Sequence, residues 1–337
     1  MLSVVFAFAA ANLCDAARAE ETAYPGASWE TRSPDEVGLD TAKLQAFAKA
    51  VGGDGVVIRD GYLVASWGDA TRHGDWASAA KPVLSTLLLF AVQEHRIDSV
   101  DDPLRPWVQR RLPGKDLIEK DRTMTFRHLA DMTSGYRRAE PPGTHWAYND
   151  SAIALYVHMT VAVWEMTPNQ AVLRCLAPLE FEDGDIFASR GGNGVSASPR
   201  DFARIGWFWL NRGNWRGEQL LRRDLFDDHC RPDVPVDLPR TKADGVDYLG
   251  VGTTGGGPDQ SENGPGIYGF NWWFNAVGPD GQRFMPHLPD DAYQADGHWG
   301  KECMLIIPSQ RMVVAARGNW GGTRLDKTRL LIDAIEE

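Results

Sequence analysis

The sequence predicts a mixed α/β (α+β) fold: an antiparallel sheet assembled from both ends of the chain and flanked by helices, with a mostly helical region inserted between. Three observations carry this. Near the amino end, Val56-Val57-Ile58 and Tyr62-Leu63-Val64-Ala65 flank Asp60-Gly61, a pair that favours a tight hairpin turn. Near the carboxyl end, Met304-Leu305-Ile306-Ile307 and Met312-Val313-Val314-Ala315 flank Pro308-Ser309-Gln310-Arg311 as a second hairpin. Between them, from about Ser78 to Asn211, apolar residues recur mostly at helical spacing.

In chain order, Leu2 to Leu13 is almost wholly apolar and ends near Ala17-Arg18-Ala19, a small-x-small site before Glu20. This reads as a secretory signal cleaved near Ala19, although no Lys or Arg precedes it, and the run is too short to span a bilayer comfortably. A buried helix is the plain alternative. Residues 20–337 are then expected to form one folded unit, with a sheet subdomain over about 34–77 and 245–337 and a helical subdomain over about 78–244. Thr41 to Val51 carries Leu44, Phe47, Ala48 and Val51 at helical spacing and stops at Gly52-Gly53. Val83 to Val92 is apolar around most of its circumference, as befits a helix through the centre of a domain. Pro82 belongs in a first helical turn, which puts the start of that helix near Ser78. Phe202 to Leu210 is the clearest later helix, and Leu325 to Ile335 closes the chain as another. The aromatic run from Ile267 to Phe274 alternates as a strand does, so Trp272 and Phe274 face one way and Asn271 and Trp273 the other. The glycine-rich stretch Thr253 to Gly266 reads equally well as a solvated linker or as a mobile rim over a pocket.

Composition narrows the function. The 337 residues are 43% hydrophobic and 24% charged, which is ordinary globular composition. Net charge is −11, so nucleic acid and anionic membrane surfaces are poor partners. With 13 tryptophans, several are available to line a pocket. There is no HExxH, no GxSxG and no P-loop, and the histidines lack metal-ligand spacing. Neither a metal nor a cofactor is expected. Beyond the leader's Cys14, Cys175, Cys230 and Cys303 are widely spaced and signal no zinc site; one bridge among them is open. The one GxGxxG match, Gly250 to Gly255, runs into a polar loop instead of a helix and reads as chance.

Ser78-Ala79-Ala80-Lys81 is the one place where serine is followed three residues later by lysine. On a helix these positions share a face, so the ammonium can reach the hydroxyl. A serine at a helix start sits where backbone N–H groups point outward and can stabilise an oxyanion. A lysine beside a buried helix can lose its proton and serve as the base that such a nucleophile needs. Taken alone, the pair is as readily a helix cap and a surface lysine.

Further along come Thr125-Phe126-Arg127-His128-Leu129-Ala130-Asp131-Met132-Thr133-Ser134-Gly135, then Pro142-Gly143-Thr144, Tyr148-Asn149-Asp150, Gly192 to Arg204, His298-Trp299-Gly300 and Ile306-Ile307-Pro308. In this order and spacing the chain, from about Pro34 to Glu336, resembles the serine β-lactamase-like hydrolases, which include penicillin-binding proteins, class C β-lactamases and related esterases and amidases. The resemblance implies a β-lactamase/transpeptidase-like fold. It implies that Ser78 is the acyl-accepting nucleophile and that Lys81 either activates it or holds the charge that lowers the pKa of Tyr148, the shared acid and base. It also implies that His298 fills a [Lys/His]-x-Gly strand motif, that Gly300 lets that strand lie close to substrate, and that the N–H groups of Ser78 and Lys301 form the oxyanion hole.

The chain departs from the family pattern at the substrate. Asp150 stands where many relatives have asparagine two residues after the tyrosine, which puts penicillin-like recognition in doubt. His298 in place of lysine weakens the grip on a substrate carboxylate. The expected activity is a serine esterase or amidase acting through an acyl-enzyme on a small-molecule acyl substrate. The alternatives are a catalytically silent binding or sensor protein on the same scaffold, a weak β-lactamase, or a D-amino-acid peptidase. The expected location is periplasmic or secreted.

Overall fold

The computed structural model describes residues 22–184, 187–189, 194–241, 244–254, 264–319 and 324–336. The apolar leader and most of the glycine-rich stretch after Thr254 lie outside the described residues. Helix α1 (Thr41–Val51) forms where its apolar spacing indicates. The Asp40 side chain caps its first turn by accepting the Lys43 N–H at 2.9 Å, and Gly52, at φ 63°, ends it. Strands β1 (Asp54–Arg59) and β2 (Tyr62–Trp67) form the first hairpin, with Asp60 and Gly61 both at positive φ as a two-residue turn requires.

The inserted region opens with β3 (Gly74–Asp75), a 3₁₀ turn over Ala77–Ala80, and α2 (Lys81–Gln93). The α-helix therefore begins at Lys81, three residues later than the proline indicates, and Ser78 rides on the tighter turn that feeds it. Helices α3 (Arg105–Arg111), α4 (Phe126–Ala130), α5 (Asp150–Trp164), α6 (Pro168–Leu176) and α7 (Pro199–Leu210) follow, with β4 (Phe187–Ser189) and β5 (Gly194–Ala197) before α7. A short pair, β6 (Asn214–Trp215) and β7 (Glu218–Gln219), and α8 (Arg223–His229) complete the region. The last third supplies β8 (Tyr268–Gly269), β9 (Trp272–Phe274), β10 (Tyr293–Gly297), β11 (Glu302–Ile307), β12 (Met312–Arg317) and α9 (Arg324–Asp333).

The main sheet has seven strands in the order β2-β1-β12-β11-β10-β9-β8, every pair antiparallel. Strands from the two chain ends meet at β1 and β12, where Val57 stands opposite Val314. One sheet face, with Val57, Leu305 and Val314, packs on Leu44 and Phe47 of α1 and on Leu331 of α9. The other, with Val56, Ile58, Met304, Ile306 and Val313, joins the large core built on α2, α5 and α7. At Gly206 of α7 a Cβ would lie 2.6 Å from Val313, so the missing side chain is what lets that helix rest on the sheet. Helix α2 is buried on nearly every side, and two indole N–H groups bond to it: Trp209 to Thr86 Oγ1 at 2.8 Å and Trp164 to the Leu87 carbonyl at 3.2 Å. Among the described residues Cys175, Cys230 and Cys303 form no disulfide with one another. Among the described residues no helix is long and apolar enough to cross a membrane.

Candidate active site

The turn that carries Ser78 is held from three sides. Strand β3 pairs with β5 and delivers Trp76, which stacks on Phe202 with ring centroids 4.0 Å apart and donates its indole N–H to the Ala197 carbonyl at 3.0 Å. Ala77 then takes φ 46°, a strained value for a residue with a Cβ. Its N–H is fixed by the Asp75 carboxylate at 2.8 Å. The chain emerges from this kink into Ser78, half-buried at the end of the turn.

Tyr148 comes to the same place by another route. Ala147 donates to the Met132 carbonyl at 3.0 Å. Asn149 caps α5 by accepting the N–H groups of Ser151 and Ala152, while its amide donates to the Tyr136 carbonyl at 2.5 Å. Asn149 is therefore an anchor for the loop. Asp150, the first residue of α5, is buried beside it. The β8–β9 turn, with Phe270 and Asn271 at positive φ, is tied to Asp131 through the Phe270 N–H at 2.6 Å and to Ser85 of α2 through Asn271 at 2.8 Å. It places Trp273 against the Tyr148 ring, centroids 6.1 Å apart.

These supports bring three predicted residues together. Lys81 is buried, and its Nζ donates to the Tyr148 oxygen at 2.5 Å and to the backbone carbonyl of Ser78 at 2.8 Å. It reaches the carbonyl of Ser78, and the Ser78 side chain lies near enough to Tyr148 to pull the phenol's pKa down. Serine, phenol and amine are thus gathered at one place, with Lys81 bonded to the other two residues. Burial pulls the Lys81 pKa down to about 8, opposed by the carboxylates of Asp296 and Asp150. Burial pushes the Tyr148 phenol well above its ordinary value; the nearby Ser78 side chain pulls it down, and Asp150 and Asp296 push it up further. The expected lowering of the Tyr148 pKa by Lys81 is therefore reversed, because desolvation of the phenolate dominates.

The strand motif is placed differently from expectation. His298, Trp299 and Gly300 have φ 40°, 57° and 89° and make the turn between β10 and β11, with Trp299 77% exposed. Both the Gly300 and Lys301 N–H groups donate to the Gly297 carbonyl, at 2.8 and 3.0 Å, so the Lys301 N–H is engaged within the turn and does not line an oxyanion hole. The His298 ring is held by Glu302, Nδ1 to carboxylate 2.9 Å. The strand that lies beside the Ser78 turn is β10 itself: a Cβ on Gly297 would lie 2.6 Å from the Trp76 carbonyl and 3.1 Å from the Ala77 Cβ. The Ala292 carbonyl accepts from Asn275 on the β9 side, and that of Gly297 accepts on the β11 side. By alternation the N–H of Asp296 faces the β9 side, and β9 pairs only as far as Gln294. Sequence reading missed Asp296 and Gly297. The signal was the hairpin: pairing Tyr293–Gly297 with Glu302–Ile307 leaves 298–301 as loop.

A separate cavity lined by Arg212, Arg231, Arg283, Asp290 and Tyr293 contains none of these residues. Its arginines are paired with Asp227, Asp233 and Asp290.

Fold and site define a class in which a serine at the foot of a buried helix meets a lysine and a tyrosine beside a strand end. Residues 38–159 match the Beta-lactamase family model. A 6-aminohexanoate-dimer hydrolase assigned in Bacillus anthracis superposes with a TM-score of 0.63 at 16% identity, over 93% of this chain and 88% of that one. A β-lactamase from Mycobacterium bovis gives 0.59 at 18%, over 87% and 97%. EstCE1, a hydrolase with promiscuous acyltransferase activity, gives 0.59 at 16%, over 88% and 98%. The family match over residues 38–159 and the likeness across most of the chain show a β-lactamase/transpeptidase-like fold.

Proposed function

We propose that this protein is a serine hydrolase that forms an acyl-enzyme on an ester or amide substrate. The observation that carries the reading is Lys81, buried and bonded to both the Tyr148 oxygen and the Ser78 carbonyl. With an amine pKa near 8, a sizeable neutral fraction of Lys81 exists at mildly alkaline pH. The Ser78 hydroxyl gives its proton to the Tyr148 oxygen as it attacks the carbonyl carbon, and Tyr148 passes its own proton to neutral Lys81. The phenol relays and the amine is the base, since a buried phenolate is the costlier charge. The tetrahedral oxyanion is received by the N–H of Ser78 and by that of Asp296, in the role expected of Lys301. Collapse expels the leaving group with the stored proton, and water repeats the sequence to release the acid. A binding protein needs no such proton path.

Mass spectrometry after incubation with a slow p-nitrophenyl ester should find the acyl group on the peptide containing Ser78, and Ser78→Ala should abolish turnover with thermal unfolding unchanged. An adduct on a different serine ends the assignment. We also propose that the protein is exported: N-terminal sequencing of material from the native host should read from Glu20 or close to it, and soluble protein beginning at Met1 would count against this.

A further inference from the structure

The serine-hydrolase reading leaves the charge of the substrate open, and the inference drawn here rests on that reading. Two carboxylates flank the proton path. Asp150 is fixed by the Asn149 cap at the start of α5, two residues beyond Tyr148, and is buried. Asp296 shares a strand face with Gln294, whose amide donates to it at 3.3 Å. Gln294 stands opposite Trp273, so Asp296 lies diagonally across from the indole that stacks on Tyr148. Both carboxylates raise the pKa of Lys81 and of Tyr148 through space, so one amine lies in the field of two acids.

The side chains packed beside Tyr148 are aromatic. Tyr148, Tyr268 and Trp273 form one cluster, with Tyr268 and Trp273 centroids 4.7 Å apart. The Lys81 Nζ already lies 4.7 Å from the centroid of the Tyr148 ring. Ring faces beside carboxylates are the chemistry that receives an ammonium group. The turn expected to grip a substrate carboxylate is otherwise occupied, its imidazole held by Glu302 and its Lys301 N–H by Gly297.

We propose that the site takes acyl substrates that carry an ammonium group, and that Asp150 and Asp296 are the residues that select it. The competing account is that the two acids serve only to balance Lys81, and a charge series separates the two. Three p-nitrophenyl esters are compared: that of γ-trimethylammoniobutyrate, that of its neutral tert-butyl isostere, and the monoester of glutarate. The quaternary ammonium cannot attack its own ester, whereas the glutarate carboxylate can, closing to the cyclic anhydride and expelling p-nitrophenolate, so the rate without enzyme is subtracted for each ester. The cationic ester should exceed the neutral one in kcat/KM by about tenfold or more, with the anionic ester slowest, and the preference should shrink as salt screens it. Asp150→Asn and Asp296→Asn should each lower the cation-to-neutral ratio, which is read within each variant so that a loss common to both esters cancels. A wild-type ratio at or below one, or a ratio that neither variant alters, overturns the selection while turnover of the neutral ester keeps the hydrolase reading. No turnover of any ester and no adduct on Ser78 removes both.

Discussion

In the proposed mechanism Lys81 and Tyr148 divide the work by the cost of burying each charge. An amine with a pKa near 8 predicts that kcat/KM rises through an acidic limb near that pH, where an ordinary lysine would place it roughly two units higher. Asp296 holds the Lys81 pKa up, so Asp296→Asn should move the limb to lower pH; a limb that stays in place would show that another group titrates. Tyr148→Phe keeps the ring against Trp273 and deletes the relay oxygen, and should lower kcat by roughly 10²–10⁴-fold. Near wild-type kcat in that variant would leave Lys81 acting on Ser78 directly. At this scale the meeting of Ser78, Lys81 and Tyr148 was legible because each lies in a short, spaced motif. The direction of the tyrosine shift was not, since desolvation depends on Trp273 and Tyr268, which reach the phenol from 120 or more residues away in sequence.

Among the elements, α1 and both hairpins were readable because apolar spacing and turn chemistry agree there. The three-stranded sheet β3-β5-β4 was not, because strands of two to four residues carry no period. It is nevertheless the element that kinks the chain into Ser78. Strand β10 shows the opposite failure: Gly297 and Gly300 both end an x-x-Gly triplet, and only the pairing with β11 tells strand from turn. Gly297→Ala puts a methyl group against the Trp76 carbonyl and should push β10 away from the nucleophile. The expected result is a kcat/KM loss of roughly 10–100-fold with a stability loss of only about 1–3 kcal/mol. Equal activity in the two proteins would mean that the strand does not set the oxyanion geometry.

For the molecule as a whole, the sheet is a bond between the two chain ends, and the topology was legible because each end carries its own hairpin. Strand order was not, since nothing local to β1 specifies β12 as its neighbour. Removing residues 301–337 deletes β11 and β12 and leaves β1-β2 separated from β8-β10. That truncation should lose cooperative thermal unfolding and become sensitive to limited proteolysis throughout. A truncated chain that still melts in one sharp transition would show that the helical region folds without the sheet.

The pairing of β1 with β12 also sets a clock. Asp54 and Arg317, partners across those strands, are 263 residues apart. At the usual pace of about 5–20 residues per second, the ribosome takes tens of seconds to make the distance between them. Throughout that interval the first hairpin exists with one edge unpaired, a template for any passing strand. The growing chain is therefore expected to stay open to chaperones, and threadable, until β12 is made.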